Sequence, residues 1–584
     1  MSETEFITRP VIMGTHGMVT SDHYLATEAG LQVLKNGGNV VDAGASMWFC
    51  LTVLKPYLVG LAGEVPILLY WADEGKVLSI NGQGPAPRAA TVDWFKKNGY
   101  SLIPEDGFLP AVVPGAFDAW VTVLEKYGTL SLAEVMEPAI RLASEGFPVY
   151  SLLNAAIAKS ARRFREEWPS SSEVYLPNGD TPKIGTLLRN PPLAHTLENI
   201  AEAERKETAP SRSAGLDAAR DYFYRGPIAK AIIDFTHNFR CKDVYGMNHN
   251  GLLEHEDFEE FRSEIEEPMT VNYRGYDVYK CGPWTQGPVL LQQLTLLEGY
   301  DLQTMGHNTD EYLHTWIECA KLAFADREQY YSDPKFVKFP EALLSKEYAA
   351  ERRRLIIDQA SLEFRPGWVT PRVFEEIEGP RWDKHGFSST GDTVHLEAMD
   401  EAGNLLSATP SGGWIPSSPL IPGLGFPLGT RAQMFHLDPN NVEKLEPCKK
   451  PSTTLSPSLV MKKGSPFMAF GTPGADQQDQ WTLQFFLNYL EFGMNLQKAL
   501  DAPTVHTLHF PASFWPHDVH PGVVAAESRI SSDILNELRK RGHKIIVDGA
   551  WSHGRCLAIQ YDSETSVISG AASPRPSEAY ALGW

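Results

Sequence analysis

Residues 384–411 read KHGFSSTGDTVHLEAMDEAGNLLSATPS, and a change of texture inside this stretch decides how the chain is organised. Residues 384–392, KHGFSSTGD, are small, polar and glycine-flanked, which predicts an exposed, mobile loop. From Thr393 onward the pattern becomes that of strands: TVHLEAMD, a turn at Glu401-Ala402-Gly403, then NLLSATP. A flexible loop thus delivers the chain to a threonine that opens a β-rich segment. Taken alone, a threonine at the start of a strand is commonplace.

Working outward, YLATEAGLQVLK (24–35) has helical spacing and ends at Asn36-Gly37-Gly38, as a glycine cap would end it. A second helix is expected from Asn39 to about Leu54, apolar nearly all round and therefore central to the core. The stretch VGLAGEVPILLYWADEGKVLSING (59–82) predicts a glycine-rich turn and a hairpin that reverses at Asp73-Glu74-Gly75. Residues 115–263 read as helical cover. VNYRGYDVYKC (271–281) reads as one strand followed by a helix, VLLQQLTLLEGY. A second hairpin, SLVMKKGSPFMAFGTPG (458–474), runs into a helix expected from about Ala475 to Phe492, with Trp481, Phe485, Tyr489 and Phe492 on one face.

The chain has 584 residues, 73 acidic against 52 basic, for a net charge of −21. Such a chain is repelled by phosphate backbones and anionic headgroups, and no basic run offsets this, so nucleic-acid and membrane partners are not expected. The composition, 43% hydrophobic and 21% charged, is that of a globular protein with a large core. Cys50, Cys241, Cys281, Cys319, Cys448 and Cys556 form no C-x-x-C pair, which points to reduced thiols and a cytoplasmic setting. The N-terminus carries acids where a secretory leader has basic residues, so no signal peptide is expected. The apolar stretch between Asp42 and Lys55 is 12 residues, too short to span a bilayer. Length alone suggests about four domains, yet no linker composition separates them.

Common catalytic signatures are missing: there is no G-x-S-x-G, P-loop, H-E-x-x-H or strand-linked G-x-G-x-x-G. His506, His509, His517 and His520 show H-x-x-H spacing twice, but without a nearby cysteine or acid they read as surface or loop histidines. No metal and no cofactor is expected.

Ordered blocks change the weight given to Thr393. GMVTSDHYLATEAGLQVLKNGGNVVDA (17–43), PGAFDAWVTVLEKYGTLSLAEVMEPAIRLASEGFPV (114–149), YRGYDVY (273–279), DTVHLEAMDEAGNLLSATPS, KKPSTTLSPSLVMKKG (449–464), FGTPGADQQ (470–478) and MNLQKALDAPTVH (494–506) follow one another as in a known family. In these blocks the chain resembles the γ-glutamyltransferase (glutathione hydrolase) family of N-terminal-nucleophile hydrolases. The resemblance implies an α+β fold, a four-layer αββα sandwich with two antiparallel sheets between helical layers. It implies synthesis as one inactive chain that cuts itself between Asp392 and Thr393, giving a large fragment 1–392 and a small fragment 393–584 that stay together as one interleaved domain. Thr393 is then nucleophile and, through its freed α-amine, general base, an amine whose reference pKa is about 7.7–8.0. Ser411 falls where the family keeps a hydroxyl that orients the nucleophile, Gly474 and Ala475 where backbone N–H groups form the oxyanion hole, and Thr453 and Thr454 at a pair of pocket serines.

Departures concern the substrate. Where the family holds a γ-glutamyl α-carboxylate with arginine, the chain has Gln83, with Arg88 five residues on. Where the family holds the α-amine with an acid, the chain has Met434, or His436 in the neighbouring register. The family asparagine near the nucleophile becomes Gly413, beside Trp414, and the glycine-rich loop acquires Glu64. Two lost charge-assisted contacts, each worth about 1.5–3 kcal/mol, argue against a zwitterionic γ-glutamyl substrate. Arg431 offers a carboxylate partner from another direction, and Trp414 and Met434 point to a more apolar pocket. The expected activity is therefore a threonine amidohydrolase or acyltransferase that works through an acyl-enzyme, with a small amide or acyl donor and water or an amine as acceptor. Two alternatives stand beside it: a genuine γ-glutamyltransferase whose donor is held by Arg88 or Arg431, and an uncut, non-catalytic binding protein. A homodimer of the two-fragment unit is left open.

Overall fold

A computed structural model describes residues 6–207, 211–374, 393–575 and 578–584. The expected loop 384–392, Asp392 included, lies outside the described residues.

The opening blocks fold as their patterns require. Tyr24–Lys35 is a helix ended at Asn36, and Val40–Leu54 is buried along its whole length. Asn39 accepts from the N–H groups of Val41 and Asp42 while the Asp42 carboxylate accepts from Asn39 N, a capping box that fixes where the second helix starts. The hairpin Val65–Trp71/Lys76–Gly82 follows. Ala116–Tyr127, Leu132–Glu145, Ser151–Glu166, Pro191–Lys206, Arg212–Tyr224 and Pro227–Asn238 supply the expected helical cover.

Two expectations are corrected. The stretch read as a single strand is a hairpin, Met269–Tyr273 against Tyr276–Lys280, because Arg274 and Gly275 both take positive φ and reverse the chain between alternating residues. The helix expected from Ala475 starts later, at Gln478, after a 3₁₀ turn Ala475–Gln477, and ends at Leu490.

Two seven-stranded antiparallel sheets organise the chain. One orders Tyr580–Gly583, Met18–Ser21, Leu396–Met399, Leu405–Ala408, Val65–Trp71, Lys76–Gly82 and Glu264–Glu266. The other orders Ile12–Gly14, Val567–Ala572, Leu557–Asp562, Ser465–Gly471, Ser458–Lys462, Tyr276–Lys280 and Met269–Tyr273. Both sheets mix strands from before and after residue 393. Met18–Ser21, for instance, pairs with Leu396–Met399 on one side and with Tyr580–Gly583 on the other.

Alternation along the strands sends side chains to two different cores. Leu396, Ala398, Leu406 and Ala408 pack with the first two helices and with Ala116–Tyr127. Val460, Met468 and Phe470 pack with Pro288–Leu297, Asp310–Tyr330 and Gln478–Leu490. Met18, Leu68, Met399, Leu405, Leu459, Met461, Ala469 and Ile559 form a third cluster, drawn from both sheets. All six cysteines are free, and no helix among the described residues is long and apolar enough to cross a membrane.

Candidate active site

Thr393 lies three residues before the central strand Leu396–Met399, which starts later than the sequence pattern predicts. It forms an antiparallel bridge with Ser411, and Val394 N donates to Pro410 O at 3.1 Å. Two residues on, His395 N donates to Asp22 Oδ2 at 2.7 Å, while its ring contacts Thr409 Oγ1 at 2.9 Å and Glu397 Oε1 at 2.8 Å. The Thr20 hydroxyl donates to the other Glu397 oxygen. Every member of this cluster is buried. Burial pushes the Asp22 and Glu397 carboxyls up, opposed by Lys55 at Asp22 and by His395 at Glu397. A polar network with so many partners fixes the segment that carries Thr393.

The Thr393 side chain is itself buried, at 3% exposure, and its Oγ1 donates to Ser411 Oγ at 3.3 Å. Ser411 Oγ also accepts from Arg431 Nη2 at 3.1 Å. Arg431 in turn directs Nε to Glu64 Oε1 at 2.7 Å and Nη2 to the same oxygen. The guanidinium lies 5.4 Å from the Trp414 ring centroid and 5.3 Å from that of Phe514. Burial pushes the Glu64 carboxyl up and the Arg431 charge opposes this. The glycine-rich loop brings Glu64 here by pressing backbone on backbone: a Cβ on Gly63 would collide with the Ser411 carbonyl.

Gly474 and Ala475 sit at the turn between the strand Ser465–Gly471 and the helix Gln478–Leu490, with φ of 133° and 48°. The helix axis therefore begins three residues beyond Ala475, and the positive end of its dipole lies farther along the chain than expected. Gln286 Nε2 donates to Ala475 O at 3.3 Å, and Ser513 N donates to Asp476 Oδ2 at 2.9 Å. Trp414, Met434 and Phe514 form an apolar cluster against which Ala475 packs. Beside it opens a narrow cleft lined by Met434, Thr453, Gln286, Arg327, Glu328 and Glu443, among others. Arg327 is held there by Asp476, Glu328 and Gln286 Oε1. Thr453 N donates to Trp284 O at 2.9 Å, and the neighbouring Thr454 Oγ1 is buried without a hydrogen-bond partner.

The structure thus joins Thr393, Ser411, Arg431, Trp414, Met434 and Ala475 through a chain of contacts, with Thr453 on the adjoining cleft. Other predicted residues fall elsewhere. Gln83 is buried, its Nε2 donating to Gly84 O at 3.1 Å and its Oε1 without a partner. Arg88 is 41% exposed and paired with Asp257 and Glu260. His436 lines the cleft, where burial holds its pKa down at about 4, and it stacks on His517 at 4.3 Å.

The reading of the four C-terminal histidines as surface or loop residues is corrected for His506, which lies in the strand Val505–Thr507, whereas His509 is in a loop but not at the surface. His506 and His509 are buried, at 1% and 2% exposure, because Trp481 and His553 enclose the first, while the second bridges Glu363 O and Gly522 N. The group among the described residues whose spacing suits a metal is instead His314, Glu318 and His543. Its carboxylate is already engaged by Lys321 and Arg365, and a dication would sit among those charges.

Sequence reasoning missed the Glu64–Arg431 pair, Asp22 and Phe514. Asp22 lies inside the opening block, where a neighbouring polar run is its only signal. Phe514 is 121 residues from Thr393 in sequence, and no spacing rule links them.

Comparison with known proteins identifies the family of the chain. The model of the gamma-glutamyltranspeptidase family matches residues 26–583. The chain is 31% identical to the glutathione hydrolase-like YwrD proenzyme of Bacillus subtilis (strain 168), over 97% of this chain and 98% of that protein. It superimposes on the structure of LmbA2991HD with a TM-score of 0.93 and 42% identity, covering 99% of this chain and 100% of the other. Superposition on cephalosporin acylase from Bacillus halodurans gives a TM-score of 0.84 with 32% identity, over 100% of this chain and 98% of the other. The chain belongs to the gamma-glutamyltranspeptidase family of N-terminal-nucleophile hydrolases and is an enzyme of the hydrolase and acyl-transfer type.

Proposed function

We propose that this protein is an autoprocessing threonine amidohydrolase or acyltransferase whose nucleophile is Thr393. The observation that carries the reading is the buried hydroxyl pair Thr393–Ser411, 3.3 Å apart and immediately after the expected cut. Cleavage between Asp392 and Thr393 frees an α-amine on the residue that bears the nucleophilic oxygen. In attack on a substrate amide, the Thr393 hydroxyl proton passes to that amine while Oγ1 bonds to the carbonyl carbon. The oxyanion forms beside Gly474 and Ala475, whose N–H groups are its donors. Collapse breaks the C–N bond, the leaving amine takes the proton from the α-ammonium, and an ester on Thr393 remains. Water or an amine then resolves it by the reverse proton path. The two sheets with their outer helices are, in this reading, the four-layer αββα sandwich, and the interleaved strands keep fragments 1–392 and 393–584 in one unit.

The donor is a small amide or acyl compound other than a zwitterionic γ-glutamyl group. Gln83 carries no charge, Arg88 is engaged by Asp257 and Glu260, and Arg431 by Glu64. Denaturing electrophoresis with intact-mass measurement tests the processing: fragments of 392 and 192 residues are expected. A full-length band that persists on ageing points instead to an uncut binding protein. Efficient turnover of γ-glutamyl-p-nitroanilide at micromolar concentration would overturn the substrate assignment in favour of a genuine γ-glutamyltransferase.

A further inference from the structure

Ser411 Oγ stands between an obligate donor and a hydroxyl whose role must change during the reaction. A serine oxygen has two acceptor positions and one hydrogen, whereas a guanidinium only donates and stays charged. Arg431 Nη2, at 3.1 Å, therefore always occupies one acceptor position of Ser411. At rest Thr393 donates into the other. Once Thr393 passes its proton to the α-amine, its oxygen can only accept, and Ser411 must turn its own hydrogen toward it. The cation on the far side of Ser411 makes that hydroxyl a better donor.

The surroundings hold Arg431 in this task. Its Nε and Nη2 converge on one oxygen of Glu64, and both side chains are 1% exposed. Glu64 is also the backbone partner of Ser411, with N–H···O contacts of 2.9 and 3.0 Å in both directions. Trp414 and Phe514 flank the guanidinium. A substrate carboxylate would have to displace Glu64 from a buried pair, a loss that its own contact would only replace.

We propose that Arg431 is a positioning residue for the nucleophile, acting through Ser411, and that Glu64 holds it, so that the pair serves the reaction instead of anchoring a substrate carboxylate. The inference rests on the reading of Thr393 as nucleophile. A buried ion pair replaced on both sides often costs little stability, and this separates a structural role from a chemical one.

The test follows self-cleavage by intact mass and acylation of Thr393 by p-nitrophenyl acetate across pH. The proteins are the wild type, Arg431→Met, Arg431→Lys and the double variant Glu64→Gln/Arg431→Met. Arg431→Met is expected to lower the acylation rate constant about tenfold to hundredfold, the worth of a charge-assisted hydrogen bond, to move its pH profile to higher pH and to leave the half-saturating ester concentration unchanged. Arg431→Lys, which still donates to Ser411, restores part of the rate. The double variant regains melting temperature lost in Arg431→Met but stays slow. Recovery of rate together with stability in the double variant overturns the proposal, as does an effect of Arg431→Met on half-saturation alone. Wild-type rates in a cleaved Arg431→Met overturn this inference and spare the nucleophile, whereas an uncut wild-type chain overturns both. Should Arg431→Met fail to fold, the lysine and double variants carry the same comparison.

Discussion

Glu64 and Ser411 are joined in both directions by backbone hydrogen bonds of 2.9 and 3.0 Å, although 347 positions separate them. This contact ties the glycine-rich loop of the first hairpin to the strand end that carries the hydroxyl beside Thr393. Segments from before and after residue 393 therefore meet beside Thr393.

Thr393→Ala removes both the attacking oxygen and the group that would cut the chain. The expected outcome is a stable, full-length protein with no acylation by p-nitrophenyl acetate, read by intact mass. Thr393→Ser keeps the hydroxyl and should still be cut, more slowly. Cleavage at full rate in the alanine variant would remove Thr393 from the nucleophile's role.

Ser411→Ala deletes the hydroxyl between Thr393 and Arg431. Losing one hydrogen bond to a developing charge costs about 1.5–3 kcal/mol, or roughly tenfold to hundredfold in rate. The self-cleavage half-life should lengthen by that factor, and an unchanged half-life would show that Ser411 is a bystander.

Gly471→Ala tests the packing behind the segment that runs from Thr393 into the strand Leu396–Met399. A Cβ at this position would collide with the His395 ring, whose nitrogens are held by Thr409 and Glu397. Overpacking of this kind costs about 1–3 kcal/mol, so the urea midpoint should fall with the slope unchanged. A midpoint equal to that of the wild type would mean the cluster yields freely.

His509 gives a pH dependence with a definite sign. Burial holds its pKa down at about 4 in the folded chain, against roughly 6.5 when unfolded. Above the unfolded value both states are neutral and stability is complete. Between the two values the unfolded chain binds a proton that the folded chain refuses, so stability falls with falling pH by about 3 kcal/mol in total, then levels off. His509→Gln can still donate toward Glu363 O and accept from Gly522 N, and should flatten that part of the curve. Denaturation midpoints measured from pH 4 to pH 7.5 for both proteins check it, and identical slopes would exclude this histidine as a source.

Local patterns carried most of the secondary structure. The helices Tyr24–Lys35 and Val40–Leu54 and the hairpin Val65–Trp71/Lys76–Gly82 form where periodicity, Asn39 and the turn residues place them, because each depends on neighbours within a few positions. The hairpin at Arg274-Gly275 was missed because its turn interrupts an alternation that looks continuous. The shift of the helix start to Gln478 depends on Ala475 adopting positive φ, which its side chain does not announce.

The site divides in the same way. Thr393, Ser411 and the Gly474-Ala475 turn are singled out by their places in blocks that resemble a known family, not by loop, strand or glycine signals of their own. Their family context follows from the order of the blocks. What Arg431 and Glu64 do was not legible, since a charged side chain in a sequence reads the same whether it faces substrate, solvent or a counter-ion. Only the folded chain brings Arg431, in the turn Arg431–Met434, to the carboxylate of Glu64, just before the strand Val65–Trp71. Chain order carries the family resemblance, and with it the proposal that Thr393 follows a cut. The pairing of buried charges belongs to tertiary structure, because burial and distance set their energies and neither is a property of local sequence.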